Sequence, residues 1–291
     1  MTIRRTSFNS ALVSTLCACA ALAIPGSALA LNEGGLFYVN DHDGAGACGG
    51  DDVAEGFNQT DYLRDAMVTW GWDRASLYGN TGVDFQDIAD VNVDANGDDA
   101  ADPSGIDSAD VGMIYTHGNY DGCTSDTSRS TISMGSNAGA CTVSNGTTSS
   151  SNDVDWGDTD LNVMIITTCN SLQLCVFEDG GYFTNSDSLG IVLGFHGTAY
   201  DSGTHTNNFE NFVDSSRYDG VGDNWVDKLT RRPIGADNDE CGVAVVYGAT
   251  TADRDNIYNN GGLQDWKTVT ATGTAAMYFI GGCDPDTGNE L

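Results

Sequence analysis

Two stretches of sequence decide the fold of this chain: VGMIYTHG (111–118) and NVMIITTC (162–169). Each is a near-continuous apolar run, and each ends in a residue with a reactive side chain, His117 in the first and Cys169 in the second. Strands that are covered on both faces of a parallel sheet have this continuous apolar character, whereas half-exposed strands alternate. The two stretches therefore predict interior strands of a parallel sheet.

Other apolar runs extend this pattern along the chain. Tyr62, Ala66 and Trp70 fall at helical spacing, and short apolar runs bounded by Gly or Asp predict strands. The alternation of strands and helices predicts an α/β fold with a mostly parallel sheet of about six strands. Besides the two stretches above, strands are predicted at 36–40, 76–78, 190–196, 242–249 and 277–280, and helices at 60–72 and 224–231.

Residues 1–30 have the layout of a secretory signal peptide. Two arginines precede an apolar run at 11–24, and the sequence ALA (28–30) is an A-x-A cleavage site. The sequence thus predicts a secreted or periplasmic protein with a single domain at 31–291 and no membrane segment after signal removal. A twin-arginine signal and a lipid anchor at Cys19 are the alternatives.

The charge balance excludes several classes of partner. The chain has 11 Lys and Arg residues against 42 Asp and Glu residues, a net charge of −31. Binding to nucleic acid or to an anionic membrane requires basic residues, so neither partner is expected. Hydrophobic residues make up 40% of the chain, which is enough for a folded core. Two segments are predicted insertions, an Asp-rich one at 84–107 and a Ser/Thr-rich one at 141–153.

The cysteine count favours disulfides with one thiol left over. The chain has nine cysteines, two of which fall within the predicted signal peptide. In an exported protein the remaining seven should mostly pair, and an odd number leaves at least one unpaired. Cys123 with Cys141 is the most natural pair because it closes a local loop. The count does not decide which cysteine stays free; for Cys169 the alternatives to a reactive free thiol are a buried core cysteine and a disulfide to Cys175.

His117 and Cys169 form a candidate nucleophile and base. Sites in open α/β sheets lie at the carboxyl ends of strands, so neighbouring parallel strands would bring both residues to one rim. An imidazole can take the thiol proton, and the thiolate can attack a carbonyl. The backbone N–H of Gly118 can approach a developing oxyanion, because glycine has no side chain in the way.

These strand ends resemble those of the caspase-like (clan CD) cysteine peptidases, in which one apolar strand ends in His-Gly and another in the catalytic cysteine. The wider layout, including GIVLGFHG (190–197), also resembles an uncharacterised bacterial secreted family related to that fold. The resemblance implies a caspase-like three-layer sandwich that cleaves polypeptides and requires no cofactor. It also implies that Cys169 is the nucleophile, His117 the base and Gly118 an oxyanion donor.

A second His-Gly pair, His196-Gly197, is expected to line the substrate groove together with Asn170, which follows the cysteine where caspases have Arg or Gln. Two other roles for His196 are open: the base in place of His117, or a residue that packs beside the site without chemical work. A zinc site is a further alternative, since His and Asp are ordinary zinc ligands. Its candidate ligands are His117, His196, Asp121, Asp201 and His205.

The Asp-rich insertion partly matches a calcium-binding loop. Oxygen-bearing residues occupy alternate positions, and Gly97 stands at the sixth position of the motif, as a calcium loop requires. Position twelve is Pro103, where such loops have an acidic residue. The predicted ligands of this structural calcium are Asn92, Asp94, Asn96, Asp98 and Asp102.

Three classes of function follow from these patterns. The favoured one is a cysteine endopeptidase, whose acidic surroundings would select Arg or Lys before the scissile bond. The second is a non-enzymatic secreted acidic module that binds calcium on the same fold. The third is a His/Asp metallohydrolase. Thiol reactivity separates the first two classes, because a nucleophilic cysteine must be reduced and reachable. The oligomeric state does not follow from the sequence.

Overall fold

The computed structural model describes residues 3–8, 32–42, 50–120, 129–135, 140–146, 153–178, 188–230, 239–266, 274–285 and 291. In these ranges the chain forms an eight-stranded sheet, a three-stranded sheet and α-helices. The strands are β1 (Ile3–Phe8), β2 (Glu33–Tyr38), β3 (Arg74–Gly79), β4 (Val111–Tyr115), β5 (Gly118–Tyr120), β6 (Arg129–Ser133), β7 (Thr142–Gly146), β8 (Val163–Thr167), β9 (Ile191–His196), β10 (Cys241–Tyr247) and β11 (Ala275–Ile280). The helices are α1 (Gly56–Trp70), α2 (Leu174–Glu178), α3 (Gly203–Ser215), α4 (Val221–Leu229) and α5 (Thr251–Asn260).

The large sheet is mostly parallel, as the sequence predicts. Its strand order is β1-β11-β10-β9-β8-β4-β2-β3. The strands from β3 to β9 run parallel to their neighbours, whereas β10 is antiparallel to both β9 and β11. Each predicted strand overlaps a strand of this sheet, which confirms the α/β class. The small sheet, with order β5-β6-β7, was not predicted.

Two apolar cores lie on opposite faces of the large sheet, because successive side chains of a strand point to opposite faces. In β4, Val111 and Met113 face one core and Ile114 faces the other. The first core is covered by α1, α3, α4 and α5. The second is covered by the segments before β4, the small sheet and α2. The molecule is therefore an α/β sandwich with its longer helices on one face.

The Asp-rich insertion at 84–107 covers the second core. Its apolar residues Phe85, Ile88 and Ile106 are buried against the sheet. Its aspartates therefore lie on a segment that is packed on one side, not on a fully solvated loop. The sequence did not predict this burial, because the segment is rich in charged residues and its apolar residues have no regular spacing.

Asp107 joins this insertion to the segment that leads into β8. Its Oδ1 accepts the backbone N–H groups of Gly157 at 3.0 Å and Leu161 at 3.1 Å, and its Oδ2 accepts that of Thr159 at 3.1 Å. The carboxyl group is fully buried. Because Leu161 lies two residues before β8, this one side chain helps to fix the strand that leads to Cys169.

Part of the predicted signal peptide contacts the sheet. β1 pairs antiparallel with β11 along its whole length, from Ile3 opposite Ile280 to Phe8 opposite Ala275. The apolar run at 11–24 and the predicted cleavage site lie outside the described residues. Without β1 the sheet has seven strands. Across the described ranges, none of the helices has the length and apolar character needed to cross a bilayer.

Candidate active site

The strand register brings His117 and Cys169 to the same edge of the sheet. β4 and β8 are adjacent and parallel, and Tyr115 lies opposite Thr167. His117 and Cys169 each lie two residues beyond this last pair. Both residues line a cavity of about 80 Å³ at the carboxyl ends of the strands. The structure therefore brings the predicted nucleophile and base together.

Cys169 is a free thiol. Among the described cysteines, Cys141 and Cys175 are disulfide-bonded and Cys241 is joined to Cys283. A disulfide between Cys169 and Cys175, one alternative from the sequence, is therefore wrong. The predicted pairing of Cys141 with Cys123 lies outside the described residues, because Cys123 is not among them.

The thiol of Cys169 is half-buried and held by the backbone of Ala199. The Ala199 N–H donates to Sγ at 3.4 Å, and Sγ lies 3.5 Å from the Ala199 carbonyl oxygen, to which the thiol donates. Burial raises the pKa of Cys169, the Ala199 N–H opposes the rise, and the negative charge of Glu240 adds to it. The resting group is thus a neutral thiol.

Alkylation of the unreduced protein with iodoacetamide should modify Cys169 and leave the four disulfide-bonded cysteines named above unmodified. Because only the thiolate reacts, the rate should rise about tenfold per pH unit and keep rising through pH 9, the ordinary value for a thiol. Mass spectrometry at several pH values measures this rate. A plateau well below pH 9, or labelling of a different cysteine, would contradict the buried, neutral thiol.

The ring of His117 is oriented by a backbone carbonyl. Its Nε2 lies 2.5 Å from the carbonyl oxygen of Asp51. A carbonyl only accepts, so the ring proton sits on Nε2 and the lone pair on Nδ1. His117 is half-buried and lines the cavity with Nδ1 available as a proton acceptor. Among the two ring nitrogens, Nδ1 is therefore the one that can accept a proton.

A second histidine, His42, packs against His117 and was missed by the sequence analysis. The two ring centroids lie 4.7 Å apart, and His42 is fully buried. Its Nε2 lies 3.0 Å from the Val39 carbonyl oxygen and 3.3 Å from the Thr116 hydroxyl. Burial, and then the charge of His117, lower the pKa of His42. The neutral ring of His42 therefore packs directly against the ring of His117.

Gly118 lies directly against the strand end that carries the thiol. A Cβ atom at this position would come within 2.2 Å of the Cys169 carbonyl oxygen, so only glycine fits. The Ser133 N–H donates to the His117 carbonyl, which makes 117 and 133 a hydrogen-bonded pair of the small sheet. Gly118 and Ile132 are the next, non-hydrogen-bonded pair, so the Gly118 N–H points away from β6.

A buried His–Glu pair lies between this cavity and a second one. His205 Nδ1 lies 2.5 Å from Glu240 Oε1, which also accepts the Tyr200 N–H at 2.7 Å. His205 lines both cavities, and its buried Nε2 has no hydrogen-bond partner among the described residues. The second cavity has a volume of about 270 Å³ and also contacts Asp201. Sequence analysis missed Glu240, which belongs to no motif.

Asp201 anchors the start of α1 to the rim of the site. Its carboxylate accepts the N–H groups of Ala54 at 2.6 Å and Glu55 at 2.8 Å, and the Tyr115 hydroxyl at 2.9 Å. Burial, and then the charge of Asp201, raise the pKa of Tyr115. These three bonds occupy Asp201, a proposed zinc ligand. Within the described ranges, no three His, Cys, Asp or Glu side chains form a group that could hold a metal ion. Asp121, another proposed ligand, lies outside those ranges.

The three predicted groove residues are not among those that line the cavity beside Cys169. His196 is 1% exposed, and its Nδ1 accepts the N–H of Leu174, the first residue of α2. The Asn170 N–H donates to the Gly197 carbonyl at 2.6 Å. Asn170 has a positive φ of 57° and Gly197 one of 85°. These residues form the turn that supports Cys169, which the strand-end pattern alone could not distinguish from a groove.

The predicted calcium loop is not assembled as a single site. Asp94 Oδ1 accepts the N–H groups of Asn96, and Asp102 pairs with Arg74. The Asn92 side chain donates to Asp158, outside the predicted loop. Short local hydrogen bonds and an arginine thus compete for the oxygens that alternate along the sequence. The residues predicted as ligands were Asn92, Asp94, Asn96, Asp98 and Asp102, and their three aspartates form no metal-holding group.

Comparison with known proteins identifies a family but no activity. No curated protein matches the chain. A family model described as "Domain of unknown function (DUF6345)" matches residues 39–277, a range that contains both strand ends of the candidate site. Since this match covers well over half of the 291 residues, the protein belongs to the DUF6345 family.

Proposed function

We propose that the protein is a cysteine endopeptidase with a caspase-like arrangement of its catalytic residues. One observation carries the proposal: the free thiol of Cys169 and the oriented ring of His117 share one cavity at the ends of adjacent parallel strands. A nucleophile, a base and a carbonyl that orients the base are the parts that acyl transfer requires. The described disulfides suit a secreted or periplasmic protein.

The chemistry begins with transfer of the Cys169 thiol proton to His117 Nδ1. The thiolate then attacks the carbonyl carbon of the scissile peptide bond, and the carbonyl oxygen takes the negative charge. The N–H groups of Gly118 and Cys169 stabilise this oxyanion. Collapse of the intermediate breaks the C–N bond, and His117 gives its proton to the leaving amine. A thioester to Cys169 remains.

Water completes the cycle. His117 takes a proton from a water molecule, whose oxygen attacks the thioester carbonyl. The second intermediate breaks its C–S bond, the carboxylic acid product leaves, and the proton returns to the Cys169 sulfur. The neutral resting thiol fits this order of events, because the base has to remove its proton before the sulfur attacks.

The second cavity supports a preference for Arg or Lys before the scissile bond. It adjoins the Cys169 cavity through His205 and contacts the carboxyl groups of Asp201 and Glu240. Glu240 uses Oε1 for both of its described bonds, which leaves Oε2 for a cationic side chain. A guanidinium or ammonium group is the natural counter-ion for a buried carboxylate.

Hydrolysis of a panel of fluorogenic peptides tests the proposal. The peptides differ only in the residue before the scissile bond, and the matched control is Cys169→Ala. We expect cleavage of the Arg and Lys peptides by the wild type and none by the variant. Asp or Asn preference would overturn the assigned specificity. Equal hydrolysis by Cys169→Ala, or no hydrolysis by wild type with its disulfides intact and its Cys169 thiol free, would overturn the peptidase and favour a binding module.

A further inference from the structure

Asp99 is buried in a way that no hydrogen bond explains. Its side chain is 0% exposed, and neither Oδ1 nor Oδ2 has a partner among the described residues. An unpaired carboxylate in a protein interior costs far more free energy than an exposed one. Burial is the main reason that the pKa of Asp99 rises to about 8. A carboxyl group with two bare oxygens needs a positively charged partner or a proton.

The charges that act on Asp99 are all negative. They come from Asp107, Asp90 and Asp158. Asp107 spends its oxygens on the three backbone N–H groups described above, and Asp158 is exposed. Asp90 is 2% exposed and uses only Oδ1, which accepts the N–H groups of Asn92 and Val93. Oδ2 of Asp90 therefore accepts no hydrogen bond from the described residues, and the negative charge of Asp90 acts on Asp99.

The backbone fixes Asp99 next to Asp90. The Asp99 N–H donates to the carbonyl of Ala89, the residue before Asp90, at 3.2 Å. The Asp107 N–H donates to the Asp99 carbonyl at 2.8 Å. A Cβ atom on Gly97 would come within 2.2 Å of the Ala89 carbonyl oxygen, so the chain is tightly folded here. The backbone thus fixes the position of residue 99 beside the segment that carries Asp90.

We propose that Asp90 and Asp99 bind one calcium ion at the base of the Asp-rich insertion. Calcium takes six to eight oxygen ligands in irregular geometry, so two carboxylates can be completed by backbone carbonyls and water. This ligand pair differs from the alternating loop of Asn92, Asp94 and Asn96. The bound calcium ion is the partner that the two Asp99 oxygens otherwise lack. The site is independent of the proposed peptidase activity.

Thermal unfolding tests the site in the full-length protein. After treatment with a chelator, the wild type should gain about 5 °C or more in Tm when millimolar calcium is restored, the size expected when calcium exceeds its Kd about 100-fold. Asp99→Asn should lose this gain and should still fold, because a neutral amide removes the buried charge. Asp94→Asn is the matched control, since Asp94 lies in the alternating loop, and it should keep the gain.

Terbium luminescence gives a second readout on the same variants. The Trp156 ring donates to the Ile88 carbonyl, two residues before Asp90, and is the expected energy donor for a bound lanthanide. Emission should appear in the wild type and in Asp94→Asn and be lost in Asp99→Asn. A calcium gain retained by Asp99→Asn or lost in Asp94→Asn would overturn the assignment. So would no gain in the wild type with a Tm that depends on pH alone, which would show that Asp99 holds only a proton.

Discussion

Replacing His117 with alanine should lower kcat/KM for the Arg and Lys peptides by about 10²–10⁴-fold, the usual contribution of a positioned general base. The Cys169 thiol is neutral at rest because burial raises its pKa, so little thiolate exists at neutral pH without a proton acceptor. The variant should therefore regain part of its rate as the pH rises, while Cys169→Ala stays inactive at every pH. Initial rates across a pH series measure both effects.

His205→Ala is the matched control, because His205 also lines the Cys169 cavity and its Nε2 has no hydrogen-bond partner in the described part of the chain. If His117 is the base, His205→Ala should change KM for basic peptides more than kcat, since it disturbs the Glu240 wall of the second cavity. A loss of kcat in His205→Ala that exceeds the loss in His117→Ala would assign the base to His205. His117 would then be a structural residue.

The sequence predicts the sheet well because its strands have one physical signature. β4, β8, β9 and β10 are buried along their whole length, so each reads as a continuous apolar run. The carboxyl-end rule then places His117 and Cys169 at one rim with no knowledge of the strand order. The site was accessible from the sequence to the extent that it sits on these strands.

The rest of the site depends on contacts that sequence cannot reveal. His42 reaches His117 from a loop about seventy-five positions earlier, and Glu240 reaches His205 from just before β10. Neither residue belongs to a periodic pattern or a motif. For His196 the prediction from the sequence was misleading. This residue ends a strand and matches the His-Gly pattern, but its side chain accepts a hydrogen bond from α2 and does not line the cavity. A sequence pattern predicts where a residue lies along a strand, but it does not predict which residues the side chain contacts.

The Asp-rich insertion was the least predictable segment. A dense run of aspartates reads as solvated loop, yet Asp99 and Asp107 are fully buried. Burial of Asp107 depends on three N–H groups from residues 157–161, about fifty positions later. No local sequence pattern connects the two segments. Only the folded chain shows that the Asp107 carboxyl group joins them by hydrogen bonds.

Replacing Asp107 with alanine should lower the free energy of unfolding by about 3–6 kcal/mol. The change leaves the N–H groups of Gly157, Thr159 and Leu161 without their acceptor, and a buried orphan donor costs about 1–3 kcal/mol each. The loss should loosen the segment before β8 and with it the position of Cys169. Denaturant unfolding monitored by tryptophan fluorescence measures the difference, because Trp156 lies in the same segment and is buried.

Asp107→Asn separates the hydrogen bonds from the charge. The Asn Oδ1 can still accept from Gly157 and Leu161, which share one oxygen of Asp107, so this variant should lose only about 1–2 kcal/mol.

Burial, and then a hydrogen bond with Asp158, raise the pKa of Asp107 from 3.8 to about 8. Between these two values the folded protein binds more protons than the unfolded chain, so stability should fall as the pH rises from about 4 to about 8. Asp107→Asn removes this group and should flatten the slope, leaving the part due to Asp99. An unchanged slope of stability against pH, or equal destabilisation by the alanine and asparagine variants, would mean that Asp107 does not join these two segments.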